Sequence, residues 1–492
     1  MKRIKFGTDG WRGIIADDFT FDNVRLVTRA ITDYVRANYG EGRPVVVGYD
    51  TRFLSSRFAR EAAGVLTAGG VPVYLTRTPA PTPVTAYAVK TYGAAGAVMF
   101  TASHNPPEYN GIKFIPHYAG PALPHITEEI EANIERLQSG GAAGPGENRP
   151  AGLLQEEALE LAVLKRPAAG PASGKLVEFD PRPEYFRHLT SLIDQDAIHK
   201  AAPRVVVNPM FGAGIGYLEG FLRQIIPSVE GIQCTLDPLF GGSMPEPNAK
   251  CLGNLTACVI NDQAQIGLAL DGDADRFGLI DYDGAYITPN QFLPLLFHYL
   301  LTERGMRGPV ARTVATTHLL DRMASRYGVE VYETPVGFKY IGQHLMEKGC
   351  ILGGEESGGL SIKGHIPEKD GILAGLLAVE MVARKGKGLG DLLDDIYAEF
   401  GRLTSERLDL HTTTDKKQAV MNKLKNWKPS ELAGKRVVQK VDVDGLKFVL
   451  EDGSWVLVRA SGTEPVFRIY VESESSGDIS KLQQAVRDSL SL

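Results

Sequence analysis

The sequence predicts an α/β protein: three similar mixed α/β domains followed by a smaller C-terminal α+β domain. Three observations carry that expectation. Short β-branched runs alternate with stretches of helical period as far as about Glu399. This alternation appears three times along the chain. Beyond Glu399 it gives way to one helix, four strands joined by short turns, and a last helix.

The first set opens with Val45-Val46-Val47-Gly48, a β-branched strand. Phe58, Ala62, Val65 and Leu66 then recur at the spacing of one helix face. Val71–Leu75 reads as the next strand, 83–92 as a helix and 94–100 as a third strand. Strands separated by helices of this length imply parallel βαβ units, which present ligands at the carboxyl ends of their strands. Residues 138–152 and 166–174 are rich in Gly, Ala and Pro and read as linkers. A second set follows with a strand at 205–207, a helix over 212–223 and a buried strand at 266–270. A third runs through strands at 310–315, 329–332 and 351–352 and helices at 318–327 and 337–348. In the last module the helix is 416–427, and strands fall at 437–443, 447–450, 455–458 and 467–471. Asp452-Gly453 is a two-residue hairpin signal between two of them, and 479–490 is the closing helix.

A chain of 492 residues divides into three or four domains at about 150 residues each. With 43% hydrophobic and 23% charged residues it is an ordinary globular composition, which excludes disorder and disulfide mini-folds. The net charge of −6 offers no overall pull toward nucleic acid or an anionic membrane, so neither is expected as a partner. Anionic ligands would need local clusters of Arg, Lys and backbone N–H groups. Cys234, Cys251, Cys258 and Cys350 form no CxxC pair, which suggests a reduced cytoplasmic setting. The first residues lack the apolar core of a signal peptide, and no apolar run approaches ~18 residues.

Four loops carry the chemistry. Thr101-Ala102-Ser103-His104-Asn105-Pro106-Pro107 follows a strand directly, and a Ser beside a His in a Pro-stiffened loop suits a held nucleophile. The same letters also describe a plain turn capped by Ser103. In Asp271-Gly272-Asp273-Ala274-Asp275-Arg276, three carboxylates leave a buried strand at alternate positions, on one face of an extended segment. Like charges so placed repel unless a cation sits among them, and hard oxygen ligands favour Mg²⁺ or Ca²⁺. An EF-hand is excluded because Arg276 and Tyr282 stand where it needs Gly and Glu; a solvated acidic turn remains open. Gly354-Glu355-Glu356-Ser357-Gly358-Gly359 offers an acceptor and a donor–acceptor suited to sugar hydroxyls, or is a flexible turn. Arg459-Ala460-Ser461-Gly462-Thr463-Glu464-Pro465 joins one guanidinium to two hydroxyls and Gly-permitted backbone donors, as a phosphate cradle or an ordinary hairpin. Arg12, Lys113 and Lys339 stand as isolated cations in further loops. Gly212-Ala213-Gly214-Ile215-Gly216 misses the dinucleotide spacing, Gly174-Lys175 lacks the hydroxyl of a P-loop, and no histidines show metal-ligand spacing.

GTDGWRG at Gly7, TASHNP at Thr101, DGDADR at Asp271, GEESGG at Gly354 and RASGTEP at Arg459, in that order, resemble the α-D-phosphohexomutase family. Its members include phosphoglucomutases, phosphomannomutases and phosphoglucosamine mutases. The resemblance implies three α/β domains and a fourth α+β domain around a central cleft. The domains would be 1–175 with a phosphoserine loop, 176–285 with a metal loop, 286–400 with a sugar-recognition loop, and 401–492 with a phosphate-binding loop. Ser103 would be the phosphoserine, and would share Mg²⁺ with Asp271, Asp273 and Asp275. Glu355 and Ser357 would read sugar hydroxyls, with Lys339 also at the substrate. Arg459, Ser461, Gly462 and Thr463 would bind the phosphate that is not transferred. Arg12 and Arg276 would stabilise charge in the transition state, and His104 and Lys113 would move protons. The implied activity interconverts hexose 1-phosphate and hexose 6-phosphate through a 1,6-bisphosphate. Sugar phosphates would then be the partners, and glucose 1,6-bisphosphate the activator. TPVGFK around Lys339 resembles the glucose-type loop. Several relatives place His after GExSG, where Gly359 stands here, so that histidine's contact is not carried over.

Overall fold

The computed structural model describes residues 4–7, 9–40, 42–140, 174–460 and 466–490. They divide into two units, Met1–Ile287 with Gly358–Gly388, and Thr288–Ser357 with Leu389–Leu492.

In the first unit, a six-stranded sheet runs in the order Trp11–Ile14, Tyr109–Pro116, Gly96–Phe100, Val45–Tyr49, Val73–Thr76, Leu176–Phe179. The last four strands are mutually parallel, and the first two run antiparallel to their neighbours. The sheet is therefore mixed, and it takes in a strand beyond residue 175. Strand period shows in its packing. Val45, Val47 and Tyr49 join one core, with the helices Phe21–Tyr39 and Ser55–Ala68. Val46, Tyr74, Ala97 and Met99 join a second core on the opposite face. Thr20 caps the first helix, its hydroxyl accepting from Asn23 N.

A second, five-stranded sheet of this unit has the order Tyr286–Ile287, Phe277–Asp281, Ile266–Leu270, Val205–Asn208, Val229–Gly231. The helix expected over 212–223 is confined to Leu218–Leu222. Before it, Met210 and Phe211 take left-handed φ of 50° and 59°. Ala213 N donates to Gly272 O at 2.9 Å, and a Cβ on Gly212 would stand 2.8 Å from that same oxygen. The 210–217 turn is spent on supporting the acidic loop, which is why helical period does not begin at 212. The helix Gly371–Lys385 is buried along nearly its whole length and capped by Asp370, whose carboxylate accepts from Leu373 N.

In the second unit, Val331–Thr334, Val310–Thr313 and Leu352–Gly354 are parallel. Its C-terminal module is an antiparallel sheet in the order Thr404–His411, Val466–Ser473, Trp455–Ala460, Leu446–Leu450, Lys435–Val441, Glu431–Leu432. Leu446, Phe448, Val456 and Val458 pack with residues of the helices Thr414–Asn426 and Ser476–Leu490. Trp455, Leu457 and Tyr470 pack on the other side against Val314 and Ala315. That seam holds a fully buried Lys447, whose Nζ donates to Val314 O at 2.9 Å and pairs with Glu333 Oε2 at 3.1 Å.

Among the described residues, no helix is long and apolar enough to cross a membrane. All four cysteines are free thiols.

Candidate active site

In the first unit the strand Gly96–Phe100 delivers the chain into the 101–107 loop. Ser103 there is buried and left-handed, with φ 51°. Its backbone N donates to Thr101 Oγ1 at 2.8 Å, and its Oγ donates to Asp271 Oδ2 at 2.7 Å. His104 Nδ1 lies 3.3 Å from the same Oγ. Arg12, on the strand Trp11–Ile14, donates through Nη1 to Asn105 Oδ1. The whole loop hangs on Arg52, a residue the sequence did not single out. Its Nη1 donates to Pro106 O at 2.7 Å and Tyr109 O at 3.0 Å, and its Nη2 to Ser103 O and Asn105 O, each at 2.6 Å. Asp50 Oδ2 lies 3.2 Å from Arg52 Nε.

The strand Ile266–Leu270 ends in the acidic loop. Its carboxylates converge through a turn, with Ala274 left-handed at φ 57°, rather than through the extended alternation expected. Asp271 Oδ1 accepts from the backbone N of Asp275 at 3.0 Å and of Arg276 at 3.1 Å. Arg276 is thereby set beside the loop, half-buried. Asp273 Oδ2 accepts from Thr82 Oγ1 at 2.6 Å and from Lys113 Nζ at 2.8 Å. Lys113 Nζ also lies 3.1 Å from Asp275 Oδ2 and 2.9 Å from Asp9 Oδ2. Gly272 is required: a Cβ there would stand 2.4 Å from Ser103 O, so the two loops meet backbone to backbone.

Asp271, Asp273 and Asp275 each bring one carboxylate oxygen within 4.8 Å of the others. Asp273 Oδ1 and Asp275 Oδ1 are buried and accept no hydrogen bond from the described residues, with Arg276 Nε 4.0 Å from the latter. Two orphaned anionic oxygens in a buried cluster fit a hard divalent cation such as Mg²⁺. Burial, reinforced by Asp273 and Asp275, raises the Asp271 carboxyl well above its ordinary range. Burial also pushes Asp273 up, but Lys113 and Thr82 outweigh it and hold that group low. For Lys113, burial opposes the charge while Asp273, Asp275 and Asp9 favour it, and the carboxylates prevail. His104 is kept well below its ordinary value by burial and then by Arg276 and Arg12, so its imidazole is neutral.

Asp9, Thr82, Glu368 and Lys369 complete this cluster and were not foreseen. Lys369 Nζ lies 3.3 Å from Asp275 Oδ2, 3.5 Å from Asp9 Oδ2 and 3.2 Å from Glu368 Oε1. Burial pushes the Glu368 carboxyl up to about 7. Two signals were available in the sequence: Asp9 stands within the GTDGWRG motif, and Glu368-Lys369-Asp370 is an isolated charged triplet before an apolar helix.

The second unit gathers the other expected residues. Lys339 stands in the first turn of the helix Phe338–Glu347. Gly337 N donates to Glu355 Oε1 at 3.0 Å, and Ser357 Oγ lies 3.5 Å from Glu355 Oε2. Arg407 Nη1 lies 3.8 Å from Glu356 Oε1. Arg459, at the end of the strand Trp455–Ala460, donates through Nε to Asp444 Oδ2 at 2.9 Å. Ser461, Gly462 and Thr463 lie outside the described residues.

Four family models match in chain order. They are the phosphoglucomutase/phosphomannomutase α/β/α domains I over 3–140, II over 183–284 and III over 288–400, and the C-terminal domain over 416–489. A phosphoglucomutase/phosphomannomutase of Thermococcus kodakarensis is 33% identical over 475 residues, covering 96% of this chain and 94% of the relative. A crystal structure from Thermus thermophilus, which carries a provisional phosphomannomutase name, superposes with a TM-score of 0.82. It is 34% identical and covers 100% of this chain and 99% of that one. An Aspergillus fumigatus N-acetylphosphoglucosamine mutase solved with GlcNAc-6P and magnesium shares the fold alone. It is 13% identical, with a TM-score of 0.54 and coverage of 99% and 96%. The chain belongs to the phosphoglucomutase/phosphomannomutase family, the α-D-phosphohexomutases.

Proposed function

We propose that this phosphohexomutase interconverts glucose 1-phosphate and glucose 6-phosphate through a phosphorylated Ser103 and glucose 1,6-bisphosphate. The observation that carries the reading is the approach of Ser103 Oγ to Asp271 Oδ2, at 2.7 Å, beside two buried carboxylate oxygens that accept no hydrogen bond from the described residues. Asp271, Asp273 and Asp275 would hold Mg²⁺. When bound, that ion neutralises charge on the phosphoryl group.

Each half of the reaction breaks one O–P bond and makes another. The Ser103 phosphoryl group passes to the free hydroxyl of the sugar monophosphate, giving the bisphosphate and a free Ser103 hydroxyl. The other phosphoryl group of the bisphosphate then returns to Ser103. His104 and Lys113 serve the proton: the neutral imidazole takes it up, and the protonated lysine gives one back. Arg12 and Arg276 stabilise the charge that spreads over the phosphoryl oxygens. Glu355, Ser357 and Lys339 bind the sugar, while Arg459, with Ser461, Gly462 and Thr463, binds the phosphate not being transferred. The glucose-type TPVGFK loop favours glucose. The name of the Thermus relative favours mannose as a second reading, since the two sugars differ only at the C2 hydroxyl.

Phosphorus NMR of the protein with Mg²⁺ and a trace of glucose 1,6-bisphosphate tests both. Glucose 1-phosphate, mannose 1-phosphate and glucosamine 1-phosphate go into separate tubes. A hexose 6-phosphate signal growing fastest from glucose, and absent with Ser103→Ala, is expected. Fastest growth from mannose or glucosamine moves the substrate. Undiminished turnover by Ser103→Ala ends the phosphoserine reading, and release of free phosphate would make the enzyme a hydrolase.

A further inference from the structure

Asp444 lies in the turn between the strands Lys435–Val441 and Leu446–Leu450, and it belongs to none of the motifs that carry the family resemblance. One of its oxygens, Oδ2, does two things. It accepts from Arg459 Nε at 2.9 Å and from the backbone N of Val336 at 3.1 Å. Val336 adjoins Gly337, whose N donates to Glu355 Oε1 at 3.0 Å. A continuous path therefore runs from Glu355 through the 336–337 backbone and Asp444 to Arg459.

The turn is built for this position. Gly445 has φ +89°, and a Cβ there would stand 2.6 Å from Val458 O and 3.2 Å from Arg459 Cα. Only glycine lets the turn press this closely on the strand that bears Arg459. Arg459 and Asp444 are 15% and 26% exposed, so the pair is sheltered without being sealed. An exposed Arg–Asp pair alone would contribute little. Here the same oxygen also satisfies a main-chain donor from a different module, so removing the carboxylate leaves two donors, Arg459 Nε and Val336 N, without their acceptor at once.

We propose that Asp444 is a positioning residue: it sets the Arg459 guanidinium for the non-transferred phosphate and ties it to the 334–339 loop that meets the sugar. The proposal rests on the phosphate-binding role given to Arg459 above. A guanidinium fixed at Nε presents its two terminal nitrogens in one orientation, which a bidentate phosphate contact requires. Without that fixing the substrate must order the side chain itself, so the loss falls on binding.

The test compares Asp444→Ala, Asp444→Asn and Arg459→Ala in the full chain. The readouts are glucose 6-phosphate affinity by titration calorimetry and steady-state turnover. Asp444→Ala is expected to weaken binding about tenfold, and to raise KM more than it lowers kcat. Asp444→Asn, whose amide oxygen can still accept both bonds, should recover most of the affinity. In the Arg459→Ala background, Asp444→Ala should change affinity by less than about twofold, because its effect acts through that arginine. A merely structural residue would give the same tenfold loss in both backgrounds, and that result overturns the proposal. So does Asp444→Ala binding like the wild type. If Asp444→Ala does not fold, the cycle is run with Asp444→Leu, which fills the space but accepts neither bond, and the same loss in both backgrounds overturns the proposal equally. Wild-type protein that binds glucose 6-phosphate without turnover would sink the mutase reading and leave the Asp444 cycle decisive. Wild-type protein that binds no glucose 6-phosphate would overturn both.

Discussion

Gly359 lies against the stem of Lys369: a Cβ at position 359 would stand 2.5 Å from Lys369 Cδ and 2.7 Å from its Cγ. The space that a side chain at 359 would fill is taken by the lysine, whose Nζ reaches the acidic loop at Asp275. Glycine at 359 and the course of the Lys369 stem are thus coupled in this chain. Gly359→Ala must push the stem aside and shift the ammonium. Turnover is expected to fall about ten- to a hundredfold with little change in melting temperature. Unchanged kcat would show that the placement of Lys369 does not matter to the reaction.

Metal dependence should track the acidic loop. Removing divalent ions with a chelator should abolish turnover, and Mg²⁺ should restore it. Asp273→Asn removes one of the carboxylates with a buried oxygen lacking a hydrogen bond, and should raise the Mg²⁺ needed for half-maximal rate about ten- to a hundredfold. A Mg²⁺ titration of activity decides it, and an unshifted curve would place the ion elsewhere.

Arg52 donates to four main-chain carbonyls of the Ser103 loop and its flank. Lysine carries three donors on one atom and cannot reproduce that fork. Arg52→Lys should therefore leave buried carbonyls unsatisfied and cost about 2–4 kcal/mol in denaturant unfolding. It should also lower the rate at which Ser103 is phosphorylated by glucose 1,6-bisphosphate, read by intact mass. A loss of stability with normal phosphorylation would make Arg52 a fold residue only.

His188 gives a pH prediction. Its Nε2 lies 2.9 Å from His365 Nδ1, and His365 Nε2 lies 2.9 Å from Asp370 Oδ2. Tyr185 donates its hydroxyl to that same Asp370 oxygen at 2.5 Å. Burial first, then His365, lower His188 to about 4, with Lys90 adding to the shift and Asp370 opposing it. Between about 4 and the ordinary 6.5, the unfolded chain binds a proton here that the folded chain does not. Stability then rises with pH in that window and is lost as pH falls through it. His188→Asn should flatten the dependence by on the order of 1 kcal/mol, allowing for solvent screening, in melts from pH 4 to 7. An equally steep variant curve would assign the slope to other groups.

Which parts were legible in the sequence follows from chain distance. Ser103 and the three aspartates each sit within one short motif at a strand end, so local order and composition disclose them. Arg52, Thr82 and Lys369 meet those residues only across 51, 191 and 94 positions, and each looks like an ordinary residue in its own neighbourhood. The first two separations are those of the Ser103 and Asp273 hydrogen bonds, and the third is 369 − 275. Asp444-Gly445 carries a turn signal as clear as Asp452-Gly453, but what the carboxylate touches is decided by folding. The helix expected over 212–223 is shorter for a related reason: the Gly272 backbone, distant in the chain, claims its first residues through Ala213 N.

Residues 358–388 belong to the first unit although 70 residues of the second, 288–357, precede them in the chain. Gly371 N donates to Ala274 O at 3.1 Å, so the acidic loop gains its last support from that returning segment. On a ribosome, residues 1–287 emerge with the place of the helix Gly371–Lys385 still empty, and remain so for the 101 residues from 287 to 388. At about 5–20 residues per second that interval lasts roughly 5–20 s. Until it closes, the nascent first unit exposes the apolar seat of a buried helix, including Leu218 and Leu268 against which Gly375 will pack. Burial of that apolar seat, and completion of the acidic loop that could hold a metal ion, are therefore timed by synthesis of the segment ending at Gly388 rather than by completion of either sheet.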